Sequence, residues 1–222
     1  MSRLLLVLAL APLAACSTAR MSLSPPLATL EAQAVDRSVF SRDVRFGPYA
    51  TREVDTSASW SRDLRVFSAA VGASDQEVSF ELTRGEQPVW RGLCVNAADQ
   101  VGVRIAGATI AKQAARFRCA LDSPQHGRWQ LELARENQFA NFAGTFSDGE
   151  RTFPVRSTNL LSGGTSLVDA VGFEIAGPAG AAAAVQTFPP EQVWFAPELG
   201  DDEPLLAGAT TALLMYRRLE LR

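Results

Sequence analysis

Apolar and polar residues alternate along several stretches of this 222-residue chain, and the alternation predicts β-strands. Residues 77–83 place Val78, Phe80 and Leu82 on one face and polar residues on the other. Residues 129–133 repeat the pattern with a tryptophan and two leucines. A period of two is typical of a strand with one buried face, so each stretch should cover a core on one side only.

Turn residues separate these stretches at short intervals. Asp-Gly at 148–149 and Gly-Pro-Ala-Gly at 177–180 each lie between two strand-like runs. Gly-Pro at 47–48 and Arg-Gly-Glu at 84–86 indicate two further chain reversals. Glycine beside aspartate or proline favours tight turns, so the sequence predicts antiparallel hairpins. Residues 97–115 fit either a strand or a helical turn.

The last stretch of the chain has a different pattern. Acidic residues at 201–203 precede Pro204, and both features suit the first turn of a helix. Residues 205–216 are apolar on nearly every side. A helix that is apolar all round is either buried or spans a membrane, and twelve residues rise only about 18 Å, too little to span one. We therefore expect a helix over about 204–218, enclosed by the strands that precede it.

These patterns predict one mainly β domain over residues 38–222, an antiparallel barrel or sandwich with a buried C-terminal helix. Many hairpins followed by one apolar helix resemble the tubby-like group of folds, which includes the LURP-one and scramblase relatives. The resemblance covers roughly residues 38–218, rests on the order of the elements, and implies a barrel of strands around the helix. The phosphoinositide binding of tubby is not implied, because the chain lacks a matching basic cluster.

The start of the chain forms a separate unit. Arg3 is followed by an apolar run at 4–13, which is too short to span a membrane. A basic residue, an apolar run and small residues follow one another as in a secretory signal. The motif Leu13-Ala14-Ala15-Cys16 resembles the lipobox of bacterial lipoproteins. The resemblance implies that residues 1–15 are a signal peptide and that lipid is attached to Cys16 after cleavage.

The residues after the cysteine bear on location. Residues 16–37 contain polar residues and prolines, which are typical of a tether between a lipid and a folded body. Ser17 stands where an aspartate tends to retain such lipoproteins in the inner membrane. The resemblance therefore implies an outer-membrane protein that is held by its lipid and faces the periplasm.

Two cysteines remain when Cys16 is acylated. Cys94 and Cys119 each lie in a strand-like stretch of an exported chain, so we expect them to form a disulfide. Two buried free thiols are the alternative. Neither cysteine lies in a Cys-x-x-Cys pair, and His126 is the only histidine of the chain. We expect no metal site and no cofactor.

Charge and candidate catalytic residues exclude several classes of protein. The net charge is −3 and the arginines are scattered along the sequence, so we expect no nucleic-acid partner. A Ser-His-Asp triad would need His126, but its polar neighbours Asp122 and Ser123 share one turn, whereas triad members normally converge from separate segments. We expect His126 to be a solvated loop residue. The four tryptophans should be core anchors rather than a sugar-stacking platform.

No motif in the chain names a reaction. We expect a non-catalytic envelope lipoprotein, anchored to the membrane by its lipid. It would present a surface to an envelope protein or glycan, or shelter an apolar ligand. The alternative is an envelope hydrolase that acts on peptidoglycan or lipid through carboxylates that the sequence does not identify. A pocket with two converging acids would favour the hydrolase, and a filled interior would favour the binding protein.

Overall fold

The computed structural model describes residues 19–37, 42–56, 76–105, 108–136 and 140–220. Side chains at 98–105, 108–114, 217–218 and 220 are not described. The predicted signal peptide, Cys16 and the tryptophan at position 60 all lie outside the described residues.

The described part of the chain is built mainly of strands, as predicted. There are thirteen of them: β1 (Gln33–Ala34), β2 (Asp36–Arg37), β3 (Val44–Phe46), β4 (Tyr49–Asp55), β5 (Gln76–Arg84), β6 (Gln87–Ile105), β7 (Ala108–Ser123), β8 (Gly127–Arg135), β9 (Ala143–Ser147), β10 (Thr152–Thr158), β11 (Gly172–Gly177), β12 (Gly180–Gln186) and β13 (Gln192–Phe195). One α-helix, α1 (Glu203–Glu220), follows them. Short 3-10 helices lie at Leu27–Thr29 and Pro197–Asp202.

All thirteen strands belong to one antiparallel sheet. Each strand from β2 to β12 pairs with the next one along the chain, and β1 pairs with β13. The two edges of the sheet, β1 and β2, are separated by Val35 alone, whose backbone N–H donates to the carbonyl of Glu191 at 3.1 Å. One stretch, residues 33–37, therefore joins both edges, and the sheet is a nearly closed barrel. The predicted barrel is confirmed, and the sandwich is wrong.

The barrel has two distinct ends, because consecutive antiparallel strands run in opposite directions. We call one the upper end, where α1 begins and where the turns at 47–48, 85–86, 124–126, 148–151 and 178–179 lie. The lower end carries the described connections 140–142, 159–171 and 187–191. The hairpins predicted at the upper end are confirmed, and the ambiguous stretch 97–115 lies in β6 and β7.

Helix α1 occupies the interior of the barrel, as predicted. Every residue from 205 to 216 is buried. Trp90 lies flat against the helix, since a Cβ at Gly208 would come within 2.8 Å of the indole, and its Nε1 donates to the carbonyl of Pro204 at 2.8 Å. Further along, Tyr216 meets three rings edge-on, those of Phe117, Phe142 and Phe173. Burying one large apolar side chain contributes about 1.5–3 kcal/mol, so the helix organises the core.

The prediction of a tether over 16–37 is wrong for residues 19–37. Residues 19–32, the N-terminal segment, lie on the outer face of the barrel, and residues 33–37 are part of the sheet. Met21 and Leu27 are fully buried there against Trp194 of β13. The apolar residues of this segment are too widely spaced to show a period. Its prolines are also common in linkers, so the sequence favours a tether there.

The predicted disulfide between Cys94 and Cys119 is present. The two residues lie directly opposite one another in β6 and β7, with their Cα atoms 4.0 Å apart. The bond therefore links neighbouring strands of the longest hairpin.

Candidate functional site

Few polar groups lie among the buried side chains that the structure describes. Within the described residues, the buried polar side chains are threonines, serines and one glutamine. No acidic, basic or histidine side chain of this set is buried. The helix fills the space that a ligand would take in a hollow barrel of this kind. A functional site must therefore be sought at the ends or on the outer surface.

His126 lies in the turn between β7 and β8 at the upper end. Its ring stacks on Trp90, with centroids 5.7 Å apart and planes 15° from parallel. Its Nε2 is buried and has no hydrogen-bond partner among the described residues. Burial lowers the pKa of His126, and the positive charge of Arg151 lowers it further. The loop position is as predicted, but the ring is held against a core tryptophan and is not freely solvated.

The geometry around His126 does not form a triad. The Oγ of Ser123 accepts the backbone N–H groups of Gln125 and His126, both at 3.2 Å, so this hydroxyl closes the turn. Asp122 is exposed on the outer face of β7. These contacts hold the turn in shape and leave no oriented nucleophile beside the imidazole.

Charged groups at the upper end are also engaged in holding the structure. Arg151 reaches Asp202 at 3.2 Å, and its guanidinium lies 5.0 Å from the ring centre of Trp129. The hydroxyl of Tyr49 donates to Glu203 at 3.1 Å, and burial followed by that carboxylate raises the pKa of Tyr49. These pairs fix the start of α1 to the rim of the barrel.

The outer face of β7, β8 and β9 has a polar groove made of two adjoining depressions. Their volumes are about 340 and 320 Å³, and both are lined by Glu132 and Thr145. We call it the arginine groove and define it by its polar side chains: Arg116, Arg118, Arg128, Gln130, Glu132, Thr145, Ser147 and Asp148. In this groove a concave surface coincides with several charged groups.

Strand register explains how the arginine groove is assembled. Arg118 is opposite Glu132, which is in turn opposite Thr145. Arg116 lies two residues from Arg118, and side chains at that spacing share one face of a strand. Every one of these side chains points outward because Trp129, Leu131 and Leu133 take the inward positions of β8.

A glycine lets two backbones approach closely at the floor of the groove. A Cβ at Gly144 would lie 1.8 Å from the carbonyl oxygen of Glu132, so a larger residue would push β9 away from β8. Glycine within a strand often marks such a close approach. The second depression is lined by this glycine and keeps its shape because of it.

The charges of the groove favour an anionic ligand. Glu132 is 3.7 Å from Arg118, and these two charges largely offset each other. Arg116 and Arg128 have no carboxylate within 4.0 Å among the described residues, although Asp122 lies across from Arg128 in the register. Guanidinium groups bind carboxylates and phosphates in a two-pronged manner. The hydroxyls and the amide of the groove add neutral donors and acceptors.

Asp148 ends the groove at the upper end and is not available as a catalytic acid. Its Oδ1 accepts the backbone N–H groups of Glu150 and Arg151 at 3.0 and 2.7 Å. These hydrogen bonds, led by the one from Arg151, lower the pKa of Asp148. A general acid needs the opposite shift, so Asp148 does not suit that role.

Several predicted features can now be placed. The tryptophans at 90, 129 and 194 are fully buried, which confirms their prediction as core anchors, and the fourth lies outside the described residues. Among the described side chains, no three metal-binding groups come together.

The arginine groove is not apparent from the sequence, because strand register brings together arginines that are scattered along the chain. The alternation of Arg116 and Arg118 was the available signal.

The chain was compared with family models, curated proteins and solved structures, and nothing matches it in any of the three. In the part of the chain that the structure describes, no helix has the length and hydropathy needed to cross a membrane.

Proposed function

We propose that this protein is a non-catalytic envelope lipoprotein that binds an anionic glycan through the arginine groove. In this proposal residues 1–15 are removed on export, Cys16 carries the lipid, and the body faces the periplasm from the outer membrane. The order of residues in the signal and the motif ending in Cys16 support the anchor. The disulfide supports an oxidising compartment.

One observation carries the binding role. The interior is filled by α1, so the groups that could recognise a ligand lie outside, and the arginine groove gathers several of them on one concave surface. Its charged and hydroxyl-bearing side chains suit a ligand that has both acidic groups and many hydroxyls. An acidic glycan chain has this chemistry, and it is long enough to follow both depressions.

The alternative of an envelope hydrolase has less support. It requires two carboxylates at catalytic separation, with one of them protonated. Glu132 is paired with Arg118, and Asp148 is held by backbone N–H groups. The hydrogen bonds to Asp148 lower its pKa, which is the opposite of what a general acid needs.

The likeness to tubby-like folds remains part of the proposal. Strands that pair in chain order around a C-terminal helix are the arrangement that the likeness requires. It adds no ligand to the proposal, because the groove and not the family carries the binding role.

The binding role is tested with purified protein and two probes, oligogalacturonate and neutral maltohexaose. We expect oligogalacturonate alone to bind, with an affinity that falls as salt is added. The double variant Arg116→Gln/Arg128→Gln should lower this affinity by about tenfold or more, since a hydrogen bond to a charged group contributes about 1.5–3 kcal/mol. Isothermal titration calorimetry measures the affinity of the original protein and of the double variant for each probe.

The matched control is Arg156→Gln. Arg156 is exposed on the outer face of β10 and lies outside the groove, so its loss should leave the affinity unchanged. If Arg156→Gln loses as much affinity as the double variant, charge in general, and not the groove, attracts the probe. Equal binding of the two probes would contradict the preference for an acidic ligand.

The anchor is tested by Cys16→Ser in cells fed with labelled palmitate. We expect this variant to stay uncleaved and unlabelled, because the thiol accepts the first lipid before the signal peptide is cut. Normal processing of Cys16→Ser would refute the anchor.

A further inference from the structure

The first described residues of the chain are fixed to the lower end of the barrel. The backbone N–H of Ser22 donates to the carbonyl of Leu160 at 2.8 Å, and that of Ser162 donates to the carbonyl of Arg20 at 2.7 Å. The side-chain amide of Gln186 donates to the carbonyl of Ala19 at 3.0 Å. Residues 19–22 are therefore attached to the connections that leave β10 and β12 at this end.

Chain length then limits where a lipid on Cys16 can be. Only Ser17 and Thr18 lie between Cys16 and Ala19, and an extended chain covers at most about 3.6 Å per residue, or roughly 11 Å over the three steps. A lipid attached to Cys16 must enter the bilayer within that distance of the attached residue. The connection is too short to hold the barrel away from the membrane.

The connection 159–171 at the same end presents an apolar side chain to solvent. Val168 is 73% exposed, and it is the one large hydrophobic residue classed as exposed among those that the structure describes. Asp169 follows it and is also exposed. A valine beside a carboxylate suits shallow contact at the level of the lipid headgroups, where the acid stays hydrated and the apolar group leaves water.

We propose that the lower end of the barrel faces the phospholipid surface, with Val168 close to the headgroups and the upper end turned away. The hairpin of β6 and β7, whose pairing continues past the ends of β5 and β8 at this end, is directed towards the same surface. This inference rests on the proposed lipid at Cys16. It adds a fixed orientation of the body, which neither the anchor nor the groove requires. The arginine groove then runs up the side of the barrel, from near the membrane towards the periplasm.

The orientation is tested with the full lipidated protein in vesicles of phosphatidylethanolamine and phosphatidylglycerol that contain a headgroup nitroxide. A bimane fluorophore is placed at the lower end in Val168→Cys. Its matched control is Glu86→Cys, an exposed position in the turn between β5 and β6 at the upper end. We expect several-fold stronger quenching at 168 than at 86. Equal quenching, or stronger quenching at 86, would overturn the orientation.

Failure of the anchor is distinguishable from failure of the orientation. Mass spectrometry of the N-terminal peptide and flotation with vesicles report on the lipid at Cys16 independently of either fluorophore. A protein without acyl groups that does not float overturns the anchor and the orientation together. A protein that is acylated and floats, but is quenched equally at both ends, overturns the orientation alone.

A longer connection tests the distance argument directly. Insertion of about ten Gly and Ser residues after Ser17 adds a flexible chain with a root-mean-square span of about 17 Å. We expect the difference in quenching between 168 and 86 to shrink while flotation is retained. An unchanged difference would show that the short connection does not set the orientation.

Discussion

Two walls of the barrel differ in what covers their outer faces. The open wall, β7 to β10, packs on α1 with its inner face and leaves its outer face to solvent, so its exposed and buried residues alternate. The covered wall, β11 to β13, has the N-terminal segment on its outer face. In β12 the residues from Ala182 to Gln186 are all buried.

The two walls show how a strand's sequence depends on whether one or both of its faces are buried. A strand buried on both faces loses its alternation and becomes a continuous apolar run, as in β12. Small alanines there let the helix inside and the segment outside both approach closely. The open wall keeps one face for charged groups, so the arginine groove can exist only where the N-terminal segment does not reach.

Truncation of two equally buried tryptophans should give the largest contrast. Trp90 and Trp194 are both 0% exposed, but the first lies against α1 and the second lies under the N-terminal segment. We expect Trp90→Ala to lower the free energy of unfolding by about 3–5 kcal/mol. Trp194→Ala should cost less, because the segment can detach while the barrel stays closed.

Urea unfolding measures these costs, and hydrogen exchange of residues 19–32 locates the damage. Exchange in this segment should rise in Trp194→Ala well below the urea concentration that unfolds the barrel. If each variant instead unfolds in a single cooperative transition, with no early exchange in residues 19–32, the N-terminal segment and the barrel unfold together.

A smaller contrast is expected from two glutamines. Gln186, on the covered wall, accepts the backbone N–H of Met21 at 2.7 Å. Its amide nitrogen donates to three carbonyls, those of Ala19, Phe188 and Pro190. Gln186→Ala leaves buried partners unsatisfied and should cost about 1–3 kcal/mol. On the open wall Gln130 is exposed, and Gln130→Ala should change stability by less than about 0.5 kcal/mol.

Limited proteolysis gives a second measure for the glutamine pair. Cleavage within 19–32 should accelerate in Gln186→Ala and remain at the original rate in Gln130→Ala. Similar rates in the two variants would contradict the assigned role of Gln186 in holding the N-terminal segment.

The smallest expected effect is a pH dependence that comes from His126. Burial, and then Arg151, lowers its pKa, while Asp201 and Asp202 oppose the shift. The folded protein therefore binds this proton less readily than the unfolded chain. The stability that this contributes is complete above the ordinary histidine pKa of about 6.5 and is lost as pH falls below it.

Thermal unfolding of the original protein and of His126→Gln, between neutral and mildly acidic pH, measures this contribution. The Tm of the variant should fall less with acidification than that of the original protein. Parallel curves would mean that protonation of His126 is not coupled to folding.

The sequence predicts the open wall better than the covered wall, for a physical reason. Alternation in β8 and the Asp-Gly turn before β10 reflect one buried face and local turn chemistry, which neighbouring residues determine. The apolar stretch 205–216 is equally explicit, because a helix enclosed on all sides has no polar face. These local features give the barrel class and its buried helix.

Features that depend on distant partners were not predictable in the same way. Residues 33–37 close the sheet only because β13 and β3 lie on either side of them, and no local pattern shows this. The N-terminal segment is apolar at isolated positions that match a surface more than 130 residues away. The groove depends on a register that brings Arg128 to the side of two arginines on the preceding strand.

The closing stretch at 33–37 has a consequence for how the chain reaches its native state. Its partner strand β13 is about 160 residues away in sequence, and Arg37 also donates to the carbonyl of Leu214 at 3.2 Å. The first contact cannot form until β13 has left the ribosome, and the second cannot form until most of α1 has followed it. Closure of the barrel therefore waits for the synthesis of these late elements, and chains that stop before α1 expose an apolar concave surface that quality-control proteases and chaperones would recognise.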